Sequence, residues 1–300
     1  MGQDRDRWLG CLLIAGSALA YSLSGYFTRL IEQDVWTVLF WRGMFGSLFI
    51  GAWVASRHRS NTLEAIKAMG WPGFWVTLFS TLATICFISA LKLAPVAEVM
   101  TIHAAIPFLT ALLAATFAGV RESWVSWGAS ILALSGVAIM VDPNASGIHI
   151  TGYVFAGVMA LSYAAMMVII RQQRHVSMLP AAALSAGLCA LIVLPAARPL
   201  VVPASDLVLL SLFGTIQFGL GLLLMTIGTR MISATSSALI GSLENPLAPI
   251  WVWLAFNEVP TFAAWIGGSL VMAAVIGDVS AKALRSRRDL QSCDAVALKS

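Results

Sequence analysis

Apolar windows of about 20 residues, the length an α-helix needs to cross the hydrocarbon core of a bilayer, recur along nearly the whole chain. Ten such spans are predicted, over 8–27, 35–55, 72–91, 96–118, 124–141, 151–170, 178–197, 206–228, 234–256 and 261–281. The polar stretches between them are short. The longest, 56–71, is the only one with room for a small amphipathic helix, so no separate soluble domain is expected.

Composition agrees with this pattern. Of the 300 residues 59% are apolar and 11% charged, with a mean hydropathy of +0.86; soluble domains carry about a quarter charged residues. The formal charge of +4 would suit nucleic acid only if the basic residues formed a patch, and they instead follow topology. With the N-terminus inside, all but four of the 18 basic residues fall on the cytoplasmic side, Arg5, Arg7, Arg121, Arg171, Arg174, Arg230 and the tail residues Lys282, Arg285, Arg287, Arg288 and Lys299 among them. Arg29, Lys92 and Arg198 fall outside, and Arg42 lies within a span. The positive-inside rule therefore predicts both termini cytoplasmic, and nucleic-acid binding is not expected. The four cysteines show no C-x-x-C spacing, so neither a disulfide framework nor a metal site is indicated.

The two halves of the chain resemble each other. "ALAYSLSGYFTR" (Ala18–Arg29) aligns without gaps on "ALSYAAMMVIIR" (Ala160–Arg171), pairing Tyr21 with Tyr163 and Arg29 with Arg171. The segment 90–122 aligns on 228–258, pairing Lys92 with Arg230 and, after a one-residue shift, Pro107 with Pro246. Ala18-Leu19-Ala20 imitates a signal-peptide cleavage site, but a cleaved leader has no reason to duplicate the sixth span, so 8–27 is read as a retained helix. Five spans per copy is an odd number, and the second copy must enter the membrane upside down. The expected fold is all-α integral membrane, with ten transmembrane helices in two inverted five-helix repeats at 8–141 and 151–281 and a basic tail at 282–300. Transporters built this way keep their substrate near the midplane between the halves.

Several residues together resemble the drug/metabolite transporter superfamily, EamA type. They are the aromatic and basic residues late in spans one and six, "ALKLAP" and "GTRMIS" before spans four and nine, prolines within those spans, and Glu122 and Glu258 before spans five and ten. Within that family the chain resembles the YddG-type amino acid exporters of bacterial inner membranes, with Tyr21 and Tyr163 where the family frequently carries Trp. The resemblance implies a secondary transporter without cofactors that exports amino acids, aromatic and other neutral ones included, and similar small metabolites by alternating access. Another metabolite or drug class in the same superfamily is the alternative. The internal twofold implies that one copy suffices, and protons are the candidate coupling ion.

Glu244 is the sharpest candidate, because a mid-span carboxylate must face protein or water. It either binds a substrate ammonium group or takes up a proton, with Asn245 beside it; the structural alternative is a paired residue in the packing. His103, one turn before Pro107, occupies the repeat position nearest Glu244, and an imidazole can carry a proton near neutrality. Arg42 in "LFWRGMF" either holds a substrate carboxylate or acts structurally, snorkelling to the interface or pairing with Glu98. Pro107, Pro246 and Pro249 mark candidate gating breaks. Tyr21, Tyr163, Gln217, Phe79 and Phe218 are candidate cavity walls. Trp8, Trp36, Trp53, Trp71, Trp124 and Trp265 read as interface anchors, and Gly43, Gly46, Gly128, Gly136, Gly267 and Gly268 as close-packing points.

Other classes lack their signatures. No H-E-x-x-H or G-x-S-x-G supports an integral-membrane enzyme, and no G-x-x-x-x-G-K-[ST] supports a nucleotide-driven pump.

Overall fold

The structure, a computed structural model, describes residues 2–117, 124–140, 147–173 and 175–297. Arg121, Glu122, Arg174 and Lys299 lie outside the described residues, as do the side chains of Arg5, Lys282, Arg285, Arg287 and Arg288. Every regular element among the described residues is helical. Eight helices are long and apolar enough to cross a bilayer, and two shorter apolar helices, Trp124–Met140 and Leu179–Val193, bring the spans to ten. The chain thus forms the two inverted five-helix repeats expected from its sequence. The connection after the second span holds a short helical pair, Arg59–Asn61 and Thr62–Ala68, as its length suggested.

Helices of one repeat pack chiefly on helices of the other: the second on the seventh, the third on the sixth, the fifth on the tenth, the first on the eighth and ninth, and the fourth on the sixth with a smaller seam to the ninth. Lipid supplies no hydrophobic drive between apolar helices, so close backbone approach must do the work. The fifth and tenth spans meet where Gly136 faces Gly267; a Cβ added at Gly136 would lie 2.7 Å from the Gly267 carbonyl, and one at Gly267 would strike the Gly136 carbonyl. Gly43 and Gly46 likewise face backbone or side-chain atoms too near to admit a methyl group. Gly268 makes only an ordinary contact, with Thr101, and Gly128 faces nothing within 4 Å. The packing role expected of Gly128 is therefore incorrect; sequence shows a small residue but not which way its helix turns. The six tryptophans read as anchors are all well exposed, from 41% at Trp36 and Trp53 to 88% at Trp124.

Three spans are broken. The fourth runs as Val96–Ala104 and Ile106–Phe117, and the ninth as Ala234–Gly241 and Glu244–Phe256. Pro107 and Pro246 fall in the first turns of the second pieces. There no helical acceptor is required of the ring nitrogen, so the break forms just upstream. Pro249 lies inside Glu244–Phe256. The first span also breaks, between Gly2–Ser22 and Ser24–Leu30, with no proline present.

The face opposite the termini is tied shut by polar contacts. Arg29, at the end of the first span, donates from Nε to Glu258 Oε2 at 2.7 Å and from Nη2 to Oε1 at 3.3 Å. It also donates to the carbonyls of Leu91 and Ala94 in the turn between spans three and four. Glu258 in turn accepts the Val96 N–H at 2.8 Å. Lys92 donates to the Ile31 carbonyl and Gln33 to Asp206, each at 2.7 Å. Asp34 caps the second span by accepting the N–H groups of Trp36 and Thr37. Partial burial raises its carboxyl, but hydrogen bonds from the Thr37 hydroxyl and the backbone, with Arg198 nearby, outweigh that and hold it below the usual range. The cap consequently weakens as pH falls through that lowered range.

Gly267→Val should lower the stability of the detergent-solubilised protein by about 1–3 kcal/mol through overpacking at the helix seam. Gly128→Val, facing open space, should leave the thermal midpoint unchanged.

Candidate functional site

The site grows out of the paired breaks. His103 stands in the last turn of Val96–Ala104 and Glu244 opens Glu244–Phe256. A helix favours cations at its C-terminal end and anions at its N-terminal end, so a base and an acid stand at the ends that suit their charged forms. The inverted repeat brings the two ends together: His103 Nδ1 lies 3.7 Å from Glu244 Oε1 and 3.1 Å from Asn245 Oδ1. Both acid and imidazole are 19% exposed.

Asn245 is oriented by the break itself. Pro246 cannot pair with the Ser242 carbonyl four residues back, and that carbonyl accepts instead from the Asn245 N–H at 3.2 Å and from Asn245 Nδ2 at 3.3 Å. A carbonyl only accepts, so Nδ2 must face it and Oδ1 must face the ring. His103 therefore donates from Nδ1 and leaves Nε2 as the basic nitrogen. Phe87 and Tyr163 flank the imidazole, with ring centroids at 5.7 and 6.0 Å.

A second cluster lies between spans two and eight. Arg42 is only 5% exposed. Its Nη2 donates to Gln217 Oε1 at 3.2 Å, and its Nε has no partner. The rings of Phe213 and Phe218 lie against the guanidinium at 4.9 and 4.7 Å. Both structural readings of Arg42 are thereby corrected. The residue is too deep to snorkel, and Glu98 accepts from the Tyr153 hydroxyl, with no ion pair to Arg42 among the described residues. Two close approaches seat the arginine here: a Cβ on Gly214 would lie 2.7 Å from the Arg42 carbonyl, and one on Gly46 would lie 2.7 Å from the Phe218 ring.

Phe213 and Phe218 both reach Arg42 because residues 213–220 are π-helical. An α-helix would put residues five apart on different faces, whereas the wider i→i+5 turn brings them nearly into line. Gln217 joins this cluster to the first span by donating to the Tyr21 carbonyl at 3.3 Å. The Tyr21 ring packs where Gly221 of the eighth span comes close, beside this cluster. Ser22, at the unpredicted break of the first span, accepts from Trp251 Nε1 at 2.9 Å.

Most expected site residues thus fall into two groups, Glu244, His103, Asn245 and Tyr163 in one and Arg42, Gln217 and Phe218 in the other, with Tyr21 beside the second. Phe79 is stacked on Trp75 at 5.9 Å and packs, as Tyr163 does, against the cluster of Met69, Val76, Met166 and Ala181. Sequence reasoning missed Phe87, Phe213 and Trp251, apolar residues in apolar helices that carry no signal of their own. It also missed Asp278, buried in the tenth span, which accepts from the Ser126 hydroxyl at 2.7 Å. No cluster of metal-ligating side chains occurs among the described residues.

The fold is that of a polytopic membrane protein of two inverted repeats. The profile of the EamA-like transporter family matches residues 8–142 and again 150–277. The chain belongs to the EamA-like transporter family. A solved crystal structure shares the fold, with a TM-score of 0.61 at 20% identity over 93% of this chain and 98% of its own. A search of curated protein sequences gives no match.

Gln217→Leu removes the one side-chain acceptor of a buried guanidinium and should destabilise the protein by about 1–3 kcal/mol in a denaturation series. Gln217→Glu supplies a counter-charge at the same place and should not; an equal loss with Glu would mean that Arg42 already has a counter-ion.

Proposed function

We propose that this transporter exports amino acids, neutral and aromatic ones included, across a bacterial inner membrane by alternating access, as the YddG-type exporters it resembles do. The reading rests above all on Glu244. It is a carboxylate held at the junction of two broken helices from opposite repeats, beside His103 and the aromatic rings of Phe87 and Tyr163. A substrate ammonium group satisfies that carboxylate, and the rings offer an apolar wall to its side chain. Tyr21 completes the wall from the first span.

With both termini cytoplasmic, the face closed by Arg29 and Glu258 is the periplasmic one, so the conformation described is shut toward the outside. Export then requires that ion pair to part while the half-helices at Pro107, Pro246 and Pro249 readjust. Glu244 and His103 also give the site a means of exchanging a proton for the substrate. Protonating Glu244 removes the charge that attracts the amine. The chain carries its own twofold and acts as a monomer.

Four measurements test this. Proteoliposomes should move labelled phenylalanine and other neutral amino acids, and movement of only nucleobases or drugs would refute the substrate class. Glu244→Gln should lower amino acid transport about 10- to 100-fold, the loss of one charge-assisted contact. In the parent protein substrate affinity should fall as pH falls through the titration of Glu244, and Glu244→Gln should flatten that profile. Glu258→Gln should raise several-fold the labelling, from the periplasmic side, of a cysteine placed at buried Ala248 in a cysteine-free background.

A further inference from the structure

The arginine between spans two and eight is built as a site yet lacks the ion that would complete it. A guanidinium has five N–H donors. Arg42 uses one of them on a neutral amide, its Nε has no partner, and it is 5% exposed. Placing an arginine within a bilayer costs about 2.5–3.5 kcal/mol even on insertion scales, and two flanking rings return only part of that. Where a buried arginine serves the fold alone, a carboxylate normally faces it; here no acidic side chain reaches it among the described residues.

A second, independent feature concerns the same place. The eighth span departs from α-helical geometry over Phe213–Leu220, and π-turns are rare insertions that concentrate at functional positions. The departure is what lets Phe213 and Phe218 both cover the guanidinium. It also leaves Gln217 holding one edge of Arg42 while reaching the first span through the Tyr21 carbonyl. Apolar rings exclude water from the arginine and strengthen any ionic hydrogen bond made to its remaining donors.

We infer that Arg42, Gln217, Phe213 and Phe218 form a subsite for a free monocarboxylate, which is the α-carboxylate of the transported molecule. A planar carboxylate accepts two parallel hydrogen bonds from a guanidinium edge, whereas phosphates and sulfates bring further charge that a single arginine does not balance. The inference rests on the amino acid reading of the Glu244 site and deepens it. Arg42 and Gln217 stand on spans two and eight and Glu244 and His103 on spans nine and four, with Gln217 reaching the first span at the Tyr21 carbonyl, so the carboxylate is taken by spans two and eight and the ammonium by spans four and nine. The requirement for an acid follows: amines and amides of the same shape keep only the Glu244 contact and bind more weakly.

Calorimetric titration of the purified full chain in detergent tests the subsite with four probes, L-phenylalanine, 3-phenylpropionate, 2-phenylethylamine and L-phenylalaninamide. In the parent protein L-phenylalanine should bind about 10- to 100-fold more tightly than 2-phenylethylamine and L-phenylalaninamide, which keep the ammonium and lack the carboxylate, the range expected of one charge-assisted bidentate contact, and 3-phenylpropionate should bind through Arg42 alone. Arg42→Gln should erase the preference and Arg42→Lys should keep part of it. Gln217→Glu provides a resident carboxylate and should displace 3-phenylpropionate while the protein stays folded. L-phenylalaninamide bound as tightly as L-phenylalanine by the parent protein overturns the subsite, and that measurement needs no variant. So does an acid preference unchanged in Arg42→Gln. The two readings also fail separately: acid-selective binding without amino acid transport removes the exporter reading and leaves the subsite. Amino acid transport without acid preference removes the subsite alone.

Discussion

In the hydrocarbon core of a bilayer no water is present to satisfy a backbone N–H or carbonyl, and the site of this protein is organised around that constraint. A helix interrupted in the membrane must find partners for the groups it frees. Spans four and nine are interrupted at matching points, and the freed ends meet each other across the repeat boundary. Asn245 satisfies the carbonyl that Pro246 abandons, and the acid and the base stand at the ends that suit their charged forms. The break, its repair and the reactive groups are one structure.

The same logic holds at the rim. The end of the first span, the turn between spans three and four and the connection before span ten each expose backbone groups, and the Arg29–Glu258 pair gathers them. The arginine donates to two carbonyls and the glutamate accepts one N–H while the two bond each other. An ion pair at a surface contributes little by itself. This one joins elements of both repeats and completes backbone groups, so its loss separates helices as well as removing a charge.

Much of this was legible beforehand, for identifiable reasons. Twenty-residue apolar runs fix the spans, because the bilayer sets their length directly. The duplication of Ala18–Arg29 in Ala160–Arg171 gives the inverted repeat, and the proline match gives the breaks of spans four and nine. Glu244 and His103 stand out because polar residues are rare in such helices. Nothing comparable marks the break at Leu23, which has no proline, or the π-turn over 213–220, whose residues are ordinary for a membrane helix. Gly128 shows the converse, a residue with the right chemistry on the wrong side of its helix.

By itself, then, the sequence determined how often the chain crosses the membrane, that its halves are inverted copies, and which few polar residues the membrane must accommodate. These depend on hydropathy, charge and local propensity, which each segment carries alone. Only the tertiary structure decided the partners: Arg42 with Gln217 between two phenylalanines rather than with Glu98, Phe79 with Trp75 and Phe87 with His103. Such choices depend on the rotation of each helix about its axis and the depth at which it meets its neighbour. Among helices that are apolar on every side, close packing sets that rotation, and no pattern along one helix encodes it.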